Sequence, residues 1–225
     1  MRAPGHGKES NVLTADMAVL SGTFARSSRT TPADIDACFD HLSDASAELA
    51  RWLGTDPLLT RFQGHRWEML LKRPGLFLRS ALYIQALMKM RGTGAAIRLA
   101  AGIGTVETAG TRDLSDADGP AFSRARRALM EMKRGRRICL EREGARPPSA
   151  TLVTLSDALC QRWTAAQAEA LVYALRPDAP TQNEIAERLG TRQQNVAARL
   201  NAAGFWALAD AIRAIETVYS HQNQL

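Results

Sequence analysis

The sequence predicts an α+β protein: a mixed strand-and-helix segment followed by an all-helical segment containing a helix-turn-helix. Three observations carry this reading. Apolar runs of strand length, residues 11–20 and 96–107, are interleaved with long helical patterns up to about residue 140. The paired prolines Pro147-Pro148 then interrupt the chain, and beyond them only helical periodicity remains. Within that last part Ala186 is small where two helices would cross, Gly190 suits a turn with positive φ, and Val196 packs the second helix back. Ile185, Leu189, Val196 and Leu200 complete one apolar face.

Each element has its own signal. The run 11–20 is apolar with a lone carboxylate, Asp16, and Ser21-Gly22 follows it. It is expected to be a strand with Asp16 near its C-terminal end, where an acid in apolar surroundings needs a metal, an arginine or backbone donors. Thr31-Pro-Ala-Asp34 is a helix start, with a cap, proline in the first turn and an acid behind it. That helix is expected to reach about residue 53, showing Ile35, Phe39, Leu42, Leu49 and Trp52 on one side. Residues 58–71 alternate around Gly64 and read as a β-hairpin. Pro74 opens a helix over 75–91, and Gly92-Thr-Gly94 ends it. In the strand 96–107, Gly102-Ile-Gly104 indicates close backbone approach; without a third glycine and its helix it is weak evidence for a dinucleotide site. A turn at 116–120 caps a helix over 121–132, and Ile138-Cys-Leu140 reads as a short strand. Residues 145–149 are the expected linker, dividing the chain into domains at 10–148 and 149–225. Helices are expected at 154–163, 164–175, 180–189, 191–203 and 205–219, with Thr164–Gln167 as a capping box.

Composition narrows the function classes. The chain has 225 residues, 45% hydrophobic and 23% charged, as an ordinary globular protein does. No apolar run approaches the roughly 18 residues of a membrane span, and the polar residues 1–10 lack the apolar core of a secretory signal. Three well-separated cysteines, Cys38, Cys139 and Cys160, show neither disulfide arithmetic nor zinc spacing, which points to a cytoplasmic protein. The net charge of +6 is unevenly placed. Residues 1–148 carry 23 Lys/Arg against 16 Asp/Glu, whereas residues 149–225 carry 6 against 7. The helix-turn-helix half is thus the less basic one, contrary to the usual footprint of a DNA reader. Nine Lys/Arg crowd residues 124–146; such a density suits either phosphate binding or a solvated face.

The residues of the first half carry a resemblance. Val12-Leu-Thr-Ala-Asp16-Met, Phe62-Gln-Gly64-His65-Arg-Trp-Glu68 and Gly119-Pro-Ala-Phe-Ser123-Arg-Ala-Arg126-Arg127 stand in the order of the class III nucleotide cyclases and their diguanylate-cyclase relatives. The whole chain is more similar still to the SatD-like proteins, in which a cyclase-like half precedes a small helical half. The resemblance implies a ferredoxin-like βαββαβ domain working as a homodimer, a first metal carboxylate at Asp16, and a second at the position of His65. It also implies a transition-state Asn at the position of Ser123 and a cation at Arg127 or Arg126. His65 and Ser123 depart from that pattern. Imidazole is a poor substitute for a hard oxygen ligand of Mg²⁺, so the implied domain is non-catalytic, taking at most one divalent ion at Asp16 with His65, or a nucleotide ligand. Arg126, Arg127, Arg136 and Arg137 are the phosphate-binding candidates.

The second half resembles the helix-turn-helix of sigma-factor region 4. In that mapping Thr191 caps the recognition helix and Arg192, Gln193, Gln194 and Asn195 reach base edges, with Arg199 one turn on. The expected function is a cytoplasmic transcription regulator that binds double-stranded DNA, with a sensing or dimerising first domain and no membrane association. Two alternatives stand beside it: a divergent metal-dependent nucleotide-processing enzyme, and an adaptor whose helix-turn-helix binds a protein partner.

Overall fold

The computed structural model describes residues 13–25, 30–62, 64–92, 95–110, 112–144 and 147–222. In chain order these form β1 (Leu13–Ala25), α1 (Pro32–Leu53), β2 (Thr60–Arg61), β3 (Arg66–Leu71) and a 3-10 turn at Pro74–Leu76 that leads into α2 (Phe77–Arg91). β4 (Ala96–Val106), α3 (Pro120–Met130) and β5 (Ile138–Arg142) follow, and then α4 (Pro147–Cys160), α5 (Ala165–Ala174), α6 (Gln182–Arg188), α7 (Gln193–Ala202) and α8 (Phe205–Gln222). The five strands make one sheet in the order β2-β3-β1-β4-β5. Neighbours are antiparallel except β4 and β5, which run parallel and are joined by α3.

β1 is buried on both faces, so its apolar run is nearly continuous. Ala18, Leu20 and Phe24 pack with residues of α1 and α2, while Met17 and Val19 pack with Ala121, Phe122 and Ala125 of α3. The strand runs five residues beyond the expected end at 20. Gly22 is part of the ladder, opposite Trp67, and a Cβ at that position would overlap the Trp67 indole. The glycine therefore marks a close cross-strand approach and does not stop the strand. Asp16 consequently lies near the start of β1, beside a register shift between Leu13 and Met17, and not near its C-terminal end.

Gly102 and Gly104 do what close backbone approach requires. A Cβ on Gly102 would overlap the backbone of Ala121 and Ala125, and one on Gly104 would overlap the Arg124 guanidinium. α3 thus lies directly on β4, and the two glycines serve helix packing, with no phosphate loop around them. α2 is enclosed on all sides. Residues from Phe77 to Met88 are buried with the single exception of Arg79, because the sheet, α1, α4 and α5 all pack against this helix.

The paired prolines lie at the start of α4, where a fixed φ and a missing N–H cost a helix nothing. The expected start at 154 is thus seven residues late. Polar contacts among the described residues tie the all-helical segment to α2 and to the sheet, three of them as follows. Arg79 on α2 pairs with Glu216 of α8 at 2.7 Å and donates to the carbonyl of Leu175 at 3.0 Å. Arg142 donates to the Tyr219 hydroxyl at 3.0 Å. Asp157 of α4 accepts the main-chain N–H groups of Arg137 and Ile138, both at 3.0 Å. The last contact also occupies a main-chain donor at the start of the edge strand β5, where an unpaired donor would invite another strand. All three cysteines are free; burial raises the Cys139 thiol to about 11 and pushes Cys160 higher still.

The α3–β4 contact yields a test. Gly102→Val inserts a side chain into backbone, so it is expected to lower stability by about 3 kcal/mol or more. A buried leucine on the same strand, Leu99, offers a control in reverse: Leu99→Val removes volume without a clash and should cost about 1 kcal/mol. Urea unfolding followed by circular dichroism measures both.

Candidate nucleic-acid interface

The corner between α6 and α7 is built by its backbone. Thr181 caps α6 and Glu184 answers it, so both halves of a capping box are present. At the other end Gly190 takes φ +59°. Its N–H reaches the Glu187 carbonyl at 3.2 Å, and the Thr191 N–H reaches that of Ala186 at 2.9 Å, the paired closure of a Schellman motif. Ile185, Ala186, Val196 and Leu200 are buried beneath the corner, as their spacing predicts. The Trp163 indole N–H donates to Ala203 at 3.0 Å and pins the end of α7 to the end of α4.

One capping expectation changes. The N-cap of α7 is Arg192, with extended φ −97° and ψ 149°, not Thr191. The Schellman closure draws the Thr191 main chain into finishing α6, and its hydroxyl accepts from the Asn195 amide at 3.0 Å. Arg192, Gln193, Gln194 and Asn195 are all exposed. The Gln193 amide donates to Gln182 on α6 at 2.6 Å. Arg199 is turned away from this group and pairs with Glu169 of α5 at 2.8 Å.

Several arginines of the basic segment are paired with carboxylates. Arg126 grips Glu68 through two hydrogen bonds, at 2.7 and 2.8 Å, and the Ser21 hydroxyl donates to the same carboxylate. Arg127 pairs with Glu141, and Arg124 with Glu143. Arg136 pairs with Asp157 at 2.7 Å, while Arg137 offers its main-chain N–H to that acid. Glu68 and Asp157 are only 2% and 1% exposed, and a carboxylate so far from water needs compensation from protein donors. The signal was present in the sequence: Glu68 interrupts Trp67-Glu-Met-Leu-Leu71, and Asp157 interrupts Leu155-Ser-Asp-Ala-Leu159. Each is a lone acid in an apolar run, as Asp16 is.

Asp16 and His65 are not brought together. The Phe24 N–H donates to the His65 carbonyl at 3.2 Å, so the hairpin meets the far end of β1. Asp16 lies eight residues back along the strand, roughly 25 Å away at the rise of an extended chain. Asp36, on α1, shares with His65 a shallow pocket that also includes Arg61, and it pairs with that arginine at 2.9 Å. Among the described residues no three potential ligands gather as a metal site. The Ser123 hydroxyl turns back to the Gly119 carbonyl at 3.2 Å.

Two experiments separate these roles. Arg126→Ala and Arg136→Ala each remove the cation from a buried carboxylate that keeps only neutral donors, so each should cost about 3 kcal/mol in thermal or urea unfolding. A phosphate-binding role alone would leave stability unchanged. The second concerns the corner. The Thr181 main-chain N–H and hydroxyl hold the Glu184 carboxyl below its ordinary 4.5. Because the folded state lowers this value, the stabilisation is complete above 4.5 and is lost as pH falls through the folded value. The melting temperature of the wild type should exceed that of Glu184→Gln at neutral pH, and the two should converge in acid.

The chain matches no protein-family model and no curated protein.

Proposed function

We propose that this protein is a DNA-binding regulator whose α6–α7 unit reads base edges in a major groove. The observation that carries the reading is the exposed, polar first turn of α7, held at a rigid glycine corner over a buried apolar face. Arg192 and Gln194 project from that turn without an ion pair or hydrogen bond among the described residues. Guanidinium and amide groups are the side chains that recognise guanine and adenine edges. The sheet segment serves in this proposal as a ferredoxin-like, cyclase-like platform that dimerises the protein or senses a ligand. Its support is the strand order β2-β3-β1-β4 with α1 and α2 on a common face. Dimerisation suits the electrostatics, since a lone helix-turn-helix with few uncompensated cations makes few phosphate contacts.

The wide separation of Asp16 from His65 counts against a shared metal site and hence against the nucleotide-processing alternative. The adaptor alternative keeps one specific support: along α7 and its cap, only Arg192 is an unpaired cation among the described residues, a sparse electrostatic footprint for DNA alone.

Gel shifts of the full-length protein, on the DNA upstream of its gene and on random duplex, test the proposal. Specific binding with a shallow salt dependence is expected. Gln194→Ala and Arg192→Ala should each remove the preference between the two duplexes. Absence of binding to either duplex would favour a protein partner.

A further inference from the structure

From the contact between Gln182 and Gln193 we infer that this pair of amides is an adenine-reading device, in which Gln193 touches the base and Gln182 positions it. The inference rests on the DNA-reading proposal above. Gln182 is the first residue of α6 and Gln193 the first residue of α7. They lie eleven positions apart in sequence, and the glycine corner brings their side chains within 2.6 Å. Gln193 is exposed and Gln182 half-exposed.

The chemistry follows from counting donors. A glutamine amide has two N–H groups and one carbonyl oxygen. Gln193 uses one N–H on the Gln182 carbonyl oxygen, which leaves one N–H and its own carbonyl free. Those two groups complement N7 and the N6 amine of adenine in the major groove. Held from the neighbouring helix, the Gln193 amide has fewer rotamers to lose when it binds, and its donor and acceptor are set in one order. An unsupported surface glutamine has neither advantage. Neighbouring residues accord with an A·T site. Gln194 is a second exposed amide, and Ala198, exposed one turn further on, offers a methyl to the methyl group of thymine. Asn195 is engaged with Thr191, which leaves Gln193 and Gln194 as the amides facing outward from this turn.

The test is selection of duplexes from a random library by the full-length protein, followed by competition binding of single-base variants of the selected site. Gln193→Ala should lower the preference for adenine at one base pair by roughly five- to a hundred-fold. Gln182→Ala should lower it at the same base pair, although Gln182 does not touch the base. Gln182→Glu keeps an acceptor oxygen for the Gln193 N–H, so it should restore the adenine preference even where its added charge weakens overall binding. Unchanged melting temperatures in all three variants would separate reading from folding. The inference is overturned if Gln182→Ala keeps the full preference, if Gln182→Glu loses it as alanine does, or if the base pair sensitive to Gln193 is not A·T. If the wild type enriches no sequence at all, the DNA-reading proposal itself falls, and this inference with it.

Discussion

Buried carboxylates govern this protein. Glu48, Glu68 and Asp157 are 5%, 2% and 1% exposed, and each is compensated by an arginine distant in the chain or on another element. Glu48 of α1 takes Arg176 from the end of α5, along with the Trp52 indole N–H at 2.9 Å. Glu68 of β3 takes Arg126 from α3, and Asp157 of α4 takes Arg136 ahead of β5. An isolated charge in a protein interior is too costly to persist, so these pairs hold only when the elements are assembled in one arrangement. They join α1 to α5, the sheet to α3, and β5 to α4. Arg79, with Glu216 and the carbonyl end of α5, extends the same principle to α8.

That constraint changes what the charge of the chain means. A surplus of arginine between residues 124 and 146 reads, in one dimension, as a surface for phosphate. In three dimensions Arg124, Arg126, Arg127 and Arg136 are committed to carboxylates. The cations that remain exposed are fewer than the composition suggests, and recognition by α7 in the proposed role depends correspondingly more on hydrogen-bond geometry than on charge. Arg199, turned to Glu169, follows the same pattern.

Local rules carried well where the interacting residues are close in sequence. The cap at Thr31 and the capping box at Thr164 are present as expected, and Thr181 forms a further box, because an N-cap and its N3 partner are three residues apart. The corner at Gly190 is present for a similar reason. Its positive φ and its two closing hydrogen bonds involve only residues 186–191. Where the partner lay on another strand, or where two local signals competed for the same residue, local reading misassigned it. Gly22 resembles a strand terminator until Trp67 is placed over it. Pro147-Pro148 resembles a linker until the following residues are seen to wind directly into α4. Thr191 resembles an N-cap until the end of α6 draws on its backbone.

By itself the sequence determined the mixed α+β class, the existence of most helices and strands, and the glycine corner between α6 and α7 with its buried face. Periodicity, capping and glycine conformation are set within a turn or two of chain, and so can be read from it. Among the described residues no helix is long and apolar enough to cross a membrane, as the lack of a long apolar run predicts. Only the tertiary structure decided which arginines face solvent, that Asp16 and His65 lie at opposite ends of β1, and that Gln182 meets Gln193. Each of these depends on how the chain is folded back: pairing between distant residues is governed by strand register and helix packing, and no local pattern of residue types encodes it.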